Sequence, residues 1–418
     1  MVQDAPPVFE RLRALRCLSA VVRHGSTVAA AEALHMSQPA VTRAVLDLEQ
    51  LCQVRLFDRA PRGMVPTAVG LRLAVRAHAL LEHLARGAEG AAALAPVEGR
   101  RRAGAARLSG AVPPAGLRAL VALAAGGSES AAARALGLSQ PAVHRALRTL
   151  EHLCDASLFQ TSPRGARLTE AGEVLLQRVK LALAEARSFE AELAAWRGEL
   201  RGRLVVGVLP LSAGLVLPQA VDALLRRHPD VQIALVDGTY ESLARQLRQA
   251  DVDLIVGALR PDGEAGLRQE VLFDDDLAVV ARADHPCLKQ PRLALRDLLA
   301  WPWVVPLAGT PASAALARVF EAAGLDPPAG VLQASSPAMT RALVLQTGRL
   351  ALGSHGEAMG EHRRERLRVV PVPLTGTTRR IGLLWRLDGE PSPGLRVLVD
   401  ELRSAARGLG LAVSAARA

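Results

Sequence analysis

Ser37-Gln38-Pro39-Ala40-Val41 returns as Ser139-Gln140-Pro141-Ala142-Val143, 102 positions further along a chain of 418 residues. The same offset carries Ser26 to Ser128, Ala30 to Ala132, Arg43 to Arg145 and Glu49 to Glu151. It also carries Leu56-Phe57 to Leu158-Phe159, Pro61-Arg62-Gly63 to Pro163-Arg164-Gly165, Thr67 to Thr169 and Gly70 to Gly172. No gap is needed over about 60 residues, which marks a duplicated domain and not a short solenoid repeat.

Each copy predicts three helices and a wing. Leu15, Leu18, Val21 and Val22 are spaced for a helix over Leu12 to His24, which Gly25-Ser26 breaks. Ser26 can cap a second helix, near Val28 to Leu34, and His35-Met36 makes a tight turn. Ser37 caps the third helix, with Pro39 in its first turn, where the missing amide costs nothing. Val41, Val45, Leu48 and Cys52 share one face of it, so Gln38, Thr42, Arg43 and Asp47 face outward. In the second copy Val143, Leu147, Leu150 and Cys154 lie inside, and Gln140, His144, Arg145 and Arg148 outside.

Two helices joined by a tight turn, the second presenting Gln, Thr and Arg from its N-terminal end, suit the major groove of double-stranded DNA. Gln pairs bidentately with adenine, Arg with guanine, and a Thr methyl meets thymine. The expected DNA contacts are Ser37, Gln38, Pro39, Thr42 and Arg43, with Ser139, Gln140, Pro141, His144, Arg145 and Arg148. Arg59, Arg62 and Arg164 add basic groups in the wings.

Ser-Gln-Pro-Ala-Val, then Leu-Glu, Leu-Phe, Pro-Arg-Gly, and a Thr with Gly three residues on resembles the winged helix-turn-helix of LysR-type transcriptional regulators. The resemblance implies a linker helix after each unit, through which such units pair antiparallel. Leu73, Ala77, Leu80, Leu84, Gly87, Ala91 and Leu94 follow a heptad seam, and so do Leu175, Val179, Ala182, Ala186, Phe189, Leu193, Trp196 and Leu200. The matched registers predict that the two helices of one chain pair with each other. Pro96, Gly99, Arg100-Arg101-Arg102, Gly104, Gly110 and Pro113-Pro114 mark a linker, which spans about 60 Å when extended.

From Arg203 the period changes. Leu204 to Val208, Val231 to Val236 and Asp253 to Leu259 read as strands, with helices at Leu217 to Arg227 and Ser242 to Gln249. Strands at Leu277 to Ala281, Trp303 to Pro306, Val331 to Ala334, Leu350 to Gly353 and Leu367 to Val372 follow, interleaved with helices at Pro311 to Ala323 and Pro337 to Gln346. Arg380 to Trp385 is a last strand, and Gly394 to Gly408 a closing helix. Such alternation implies a parallel sheet covered on both faces. Two α/β halves of this size resemble the periplasmic-binding-protein-like effector domain of the same family. Asp284-His285-Pro286 is expected at the first crossing between halves and Val372-Pro373-Leu374 at the return.

The predicted fold is thus α plus α/β and multidomain, with two winged helix-turn-helix domains preceding a two-lobed effector domain. The first winged unit occupies residues 9–67, its linker helix and flexible linker 68–113, the second unit 114–169 and its linker helix 170–202. The effector domain covers 203–410, with lobe I near 203–280 and 376–410 and lobe II near 281–375. In open α/β sheets ligands bind beyond the carboxyl ends of strands. Ser212, Thr239, Gly309, Thr310, Ser335 and Ser336 stand at such places and suit a small polar or anionic effector.

Net charge is +10, carried by arginine except at Lys180 and Lys289, and favours a polyanionic partner. Cys17, Cys52, Cys154 and Cys287 have no spacing for a metal or a disulfide framework. No signal peptide, membrane-spanning run, nucleophile elbow, phosphate loop or metal cluster is expected, so neither an enzyme nor a cofactor is predicted. The expectation is a cytoplasmic regulator that binds operator DNA and a small-molecule effector and forms a homo-oligomer, with RNA polymerase to be considered as a further partner. The competing reading is a solute-binding receptor whose N-terminal units only bind protein.

Overall fold

The computed structural model describes residues 5–60, 63–94, 112–162, 165–211, 213–261, 263–329, 331–362 and 366–409. They form two compact bodies, dividing near Gly202. The first holds both repeats. In the first copy helices α1 (Leu12–His24), α2 (Thr27–Leu34) and α3 (Gln38–Cys52) precede the hairpin β1 (Phe57–Ala60) and β2 (Gly63–Pro66) and the long helix α4 (Ala68–Ala93). The second copy repeats this as α5 (Pro114–Gly126), α6 (Glu129–Leu136), α7 (Gln140–Cys154), β3 (Phe159–Ser162), β4 (Gly165–Leu168) and α8 (Glu170–Trp196).

The repeated residues hold the chain. Ser26 accepts the Ala29 amide and Ser128 that of Ala131, each capping its second helix. Glu49 Oε1 accepts the Leu56 amide at 2.7 Å, and Glu151 Oε1 the Leu158 amide at 2.8 Å, tying the third helix to the wing. Thr67 and Thr169 cap the long helices through Gly70 and Gly172. A Cβ on either glycine would lie 2.0 Å from a backbone oxygen, of Leu56 or of Leu158, so only glycine fits. One prediction fails in detail: Ser37 stands at the N-cap of α3 without a side-chain cap bond, whereas Ser139 accepts the Ala142 amide at 3.4 Å.

The helices α4 and α8 lie antiparallel along the predicted seam. Gly90, late in α4, faces Val174, early in α8, while Arg76, early in α4, meets Glu185 and Glu192, late in α8. Leu73, Ala77, Leu80, Leu84 and Ala91 are buried there, with Leu175, Val179, Ala182, Ala186, Phe189 and Leu193. The seam stops earlier than expected. Trp196 is 49 % exposed and Leu200 follows the helix end, where no facing turn of α4 remains to cover them. The linker with its three arginines lies outside the described residues.

The second body contains two five-stranded sheets. Lobe I is ordered β6-β5-β7-β14-β8, from β5 (Gly202–Val208), β6 (Val231–Asp237), β7 (Leu254–Ala258), β8 (Leu267–Asp275) and β14 (Arg379–Arg386). Lobe II is ordered β11-β10-β12-β9-β13, from β9 (Leu277–Arg282), β10 (Trp303–Pro306), β11 (Gln333–Ala334), β12 (Leu350–Ser354) and β13 (Leu367–Val369). Its strands alternate between two cores. Val279, Trp303 and Leu352 pack on one face and Val280, Val304 and Ala351 on the other, so both faces are covered.

The sheets are mixed, not purely parallel. β5 and β7 run parallel, as do β10 and β12, but β14 is antiparallel to β7 and β8, and β9 is antiparallel to β12 and β13. The reason is connectivity, because β14 re-enters lobe I from the other lobe. The chain crosses between β8 and β9 at Asp275 to Leu277, earlier than Asp284-His285-Pro286. His285 is a buried part of lobe II: Nδ1 accepts the Cys287 amide, Nε2 lies 2.9 Å from the Gly348 oxygen, and the ring meets Trp301 edge-on. Val372 and Leu374 also pack in lobe II, so the return crossing follows them.

Candidate DNA-reading faces and inter-lobe site

In α3 the stripe Val41, Val45, Leu48 and Cys52 is buried, and Ser37, Gln38, Pro39 and Arg43 are exposed, with Thr42 half-buried. In α7 Val143, Leu147, Leu150 and Cys154 are buried, and Ser139, Gln140, Pro141, His144, Arg145 and Arg148 are exposed. Each helix therefore brings its predicted polar residues together on one outward face. Arg59 lies on β1 opposite Met64, while Arg62 and Arg164 lie outside the described residues.

The two faces differ in how their side chains are held. Gln38 Nε2 donates to Thr27 Oγ1 at 3.4 Å. In the second copy Gln140 Oε1 accepts from Ser130 at 3.1 Å, and His144 Nδ1 lies 3.0 Å from Glu129 Oε1. Arg148 donates to Glu151 Oε2 at 2.8 Å and lies over the Phe159 ring, 5.6 Å from its centre. Leu46, the counterpart of Arg148, is 47 % exposed. Burial pushes the Cys52 and Cys154 thiols up to about 12, so both behave as small apolar residues behind the reading face.

In the second body, β10 and β11 run parallel and bring Gly309-Thr310 beside Ser335-Ser336 at their carboxyl ends. Helices α11 (Pro311–Ala322) and α12 (Pro337–Thr347) start there. Thr239 likewise begins α10 (Tyr240–Arg248), which follows α9 (Leu217–Arg227) and β6. Three hydroxyls serve as caps: Thr239 accepts the Ser242 amide, Thr310 that of Ser313 and Ser336 that of Met339. Thr310 also donates to the Leu307 oxygen at 2.7 Å. Ser335 is exposed, and Ser212 lies outside the described residues.

A cluster between the lobes was not foreseen from sequence. Glu357, on α13 (His355–His362) of lobe II, accepts the Gly214 amide of lobe I at 2.8 Å. Arg379 donates to Asp275 at 2.7 Å and to the Leu211 oxygen at 2.8 Å. The two crossings run side by side: Leu277 donates to Thr377 at 3.2 Å and Thr378 to Asp276 at 2.6 Å. Burial raises the Glu357 pKa, and the Gly214 amide opposes it. Burial lowers that of Arg379, and Asp275 opposes it. The one sequence signal was Asp274-Asp275-Asp276, a carboxylate run whose partners lie about a hundred residues away.

Comparison with known proteins gives two family matches. "Bacterial regulatory helix-turn-helix protein, lysR family" matches residues 12–71 and again 115–173, and "LysR substrate binding domain" matches residues 197–407. The HTH-type transcriptional regulator GalR of Pseudomonas putida is 35% identical over 398 residues, covering 94% of this chain and 96% of its own, so that alignment spans both repeats. The regulator YdcI of Escherichia coli K12 is 28% identical and covers 69% of this chain and 94% of its own. The crystal structure of CbnR, at 21% identity, shares the fold with a TM-score of 0.51, covering 70% of this chain and 98% of its own.

Proposed function

The chain belongs to the LysR family of bacterial transcriptional regulators, DNA-binding proteins with an effector domain, and from that premise we propose that both winged units of one chain read DNA as a fixed, unlike pair. The supporting observation is the antiparallel packing of α4 on α8. It sets the wings preceding Ala68 and Glu170 at opposite ends of the pair. A helix of 26 residues is about 39 Å long, close to the ~34–36 Å of one DNA turn. Gln38, Thr42 and Arg43, with Gln140, His144 and Arg145, meet base edges. Ser37, Pro39, Ser139 and Pro141 approach the backbone, and Arg59, Arg62, Arg148 and Arg164 hold phosphates.

The protein acts in the cytoplasm as a regulator and not as an enzyme. A small effector binds between the lobes, against Ser212, Thr239, Gly309, Thr310, Ser335 and Ser336, and changes the lobe angle about the paired crossings. Among the described residues no helix is long and apolar enough to cross a membrane.

Footprinting on the native operator tests the reading. Arg43→Ala and Arg145→Ala each lose about 1–3 kcal/mol of binding, and each loses protection on its own side of the site. A variant that keeps both affinity and footprint identifies its unit as a non-reader. Ser335→Ala weakens the response to inducer and leaves operator binding without inducer unchanged; an unaltered dose–response places the effector elsewhere.

A further inference from the structure

The two long helices are related by the repeat, yet the seam treats them as opposites. The 102-residue offset sets Gly87 against Phe189, Gly90 against Glu192 and His83 against Glu185, while Leu73 and Arg76 match Leu175 and Arg178. Where Gly87 stands, a Cβ would lie 2.8 Å from Arg178 Cβ and 3.1 Å from Leu175 Cδ1. At Gly90 it would lie 2.7 Å from Val174 Cγ1. This half of the seam has no room for a methyl group.

The other half is filled. Phe189 and Glu192, at the positions matching the two glycines, are 1 % and 5 % exposed. Arg76, 2 % exposed, meets Glu185 at 3.2 Å and Glu192 at 3.1 Å. Its counterpart Arg178 meets His83 Nδ1 at 3.5 Å.

Consider α8 against a second α8. Phe189 and Glu192 would then stand against Leu175, Arg178 and Val174, where even Gly87 and Gly90 leave no space. Consider α4 against a second α4. Each Arg76 would face His83 and Gly90 in place of two carboxylates, a buried cation without its acids, and each Leu73 would lose the ring opposite it. One like pair is overfilled and the other is hollow and miscontacted in charge.

We infer that the seam is coded for α4 against α8 and excludes each helix against itself. The partner surface of α4 fits an α8-type helix, and the chain carries that helix itself. A second copy of the chain therefore cannot pair through two α4 or two α8 helices. This inference rests on the pairing used in the proposed function, but not on either unit reading DNA, so a DNA-free readout separates the two.

The test uses the full-length protein. The register of the contacts sets Leu80 opposite Ala182, both buried. Leu80→Cys with Ala182→Cys, oxidised without DNA, gives a disulfide at single-chain mass, and neither substitution alone gives a two-chain product at that position. A chain-to-chain disulfide from either single variant, or no intrachain disulfide from the double variant, overturns the inference. In the two-cysteine background Gly87→Phe slows disulfide formation by about tenfold or more, because the ring overfills the closed half. An unchanged rate for Gly87→Phe sinks the coding.

Discussion

The first winged unit carries an exposed leucine at residue 46 on the outward face of its third helix, and the second carries, at the same place, an arginine held by Glu151 and Phe159. Asp47 and Thr149 differ likewise, and so do Thr42 and His144. Behind these faces the units agree almost bond for bond. Ser26 and Ser128, Glu49 and Glu151, Thr67 and Thr169 make the same backbone contacts. The groups that hold the chain have stayed, and the groups that meet a partner have diverged. The two units are one scaffold carrying two different outward faces.

The comparison breaks most visibly at the seam. Arg76→Met takes away the guanidinium that meets buried Glu185 at 3.2 Å and Glu192 at 3.1 Å, leaving Arg72 at 4.0 Å from Glu192, and costs about 3–5 kcal/mol, whereas Arg178→Met, which gives up the 3.5 Å contact with His83, costs under ~1 kcal/mol. Denaturant titration of the two variants checks the difference, and equal losses would mean that the halves are not distinct. Next in size, Gly70→Ala and Gly172→Ala drive a methyl into a backbone oxygen and cost roughly 3 kcal/mol. Here the expectation is equality, and unequal melting shifts would show that the scaffolds have drifted as well.

Smaller effects sharpen the difference in reading. Arg148→Ala weakens operator binding by about 1 kcal/mol, equally across sequences, and lowers the salt slope by about 1. Leu46→Ala leaves the salt slope unchanged and affects only sites with thymine beneath it. Binding titrations at several ionic strengths distinguish the two. The last effect is shared and vanishes at neutral pH. Cys52 and Cys154 rise from 9.0 to about 12 on burial, so the folded chain keeps a proton that the unfolded chain releases between those values. The stability they contribute is whole below pH 9 and falls as pH rises toward 12. Alkylation of each thiol, followed by mass spectrometry across that range, reports whether the two units open together.

The helices of both repeats were legible because their signals are local: apolar periodicity, Ser caps and a proline in a first turn. The pairing of α4 with α8 was legible from matched heptads. The effector domain was read less completely. β8 was missed because Arg268, Gln269 and Glu270 interrupt its pattern, which an edge strand tolerates since only one neighbour holds it. α13 was missed because Gly356 and Gly360 break any helical period. The mixed sheets were out of reach, because strand direction depends on which lobe the chain is returning from. So was Glu357, whose partner Gly214 is 143 residues away and carries no side chain to announce it.

The packing of α4 on α8 inside a single chain also changes what a mutation can do. In a regulator assembled from identical subunits, any substitution in the reading helix alters both halves of the site at once, so most novelties spoil two contacts together. Here residues 38–52 and 140–154 are written by different codons. With both units reading DNA as proposed, selection can retune one half-site while the other keeps the protein on its operator, and the target sequence can lose its symmetry step by step.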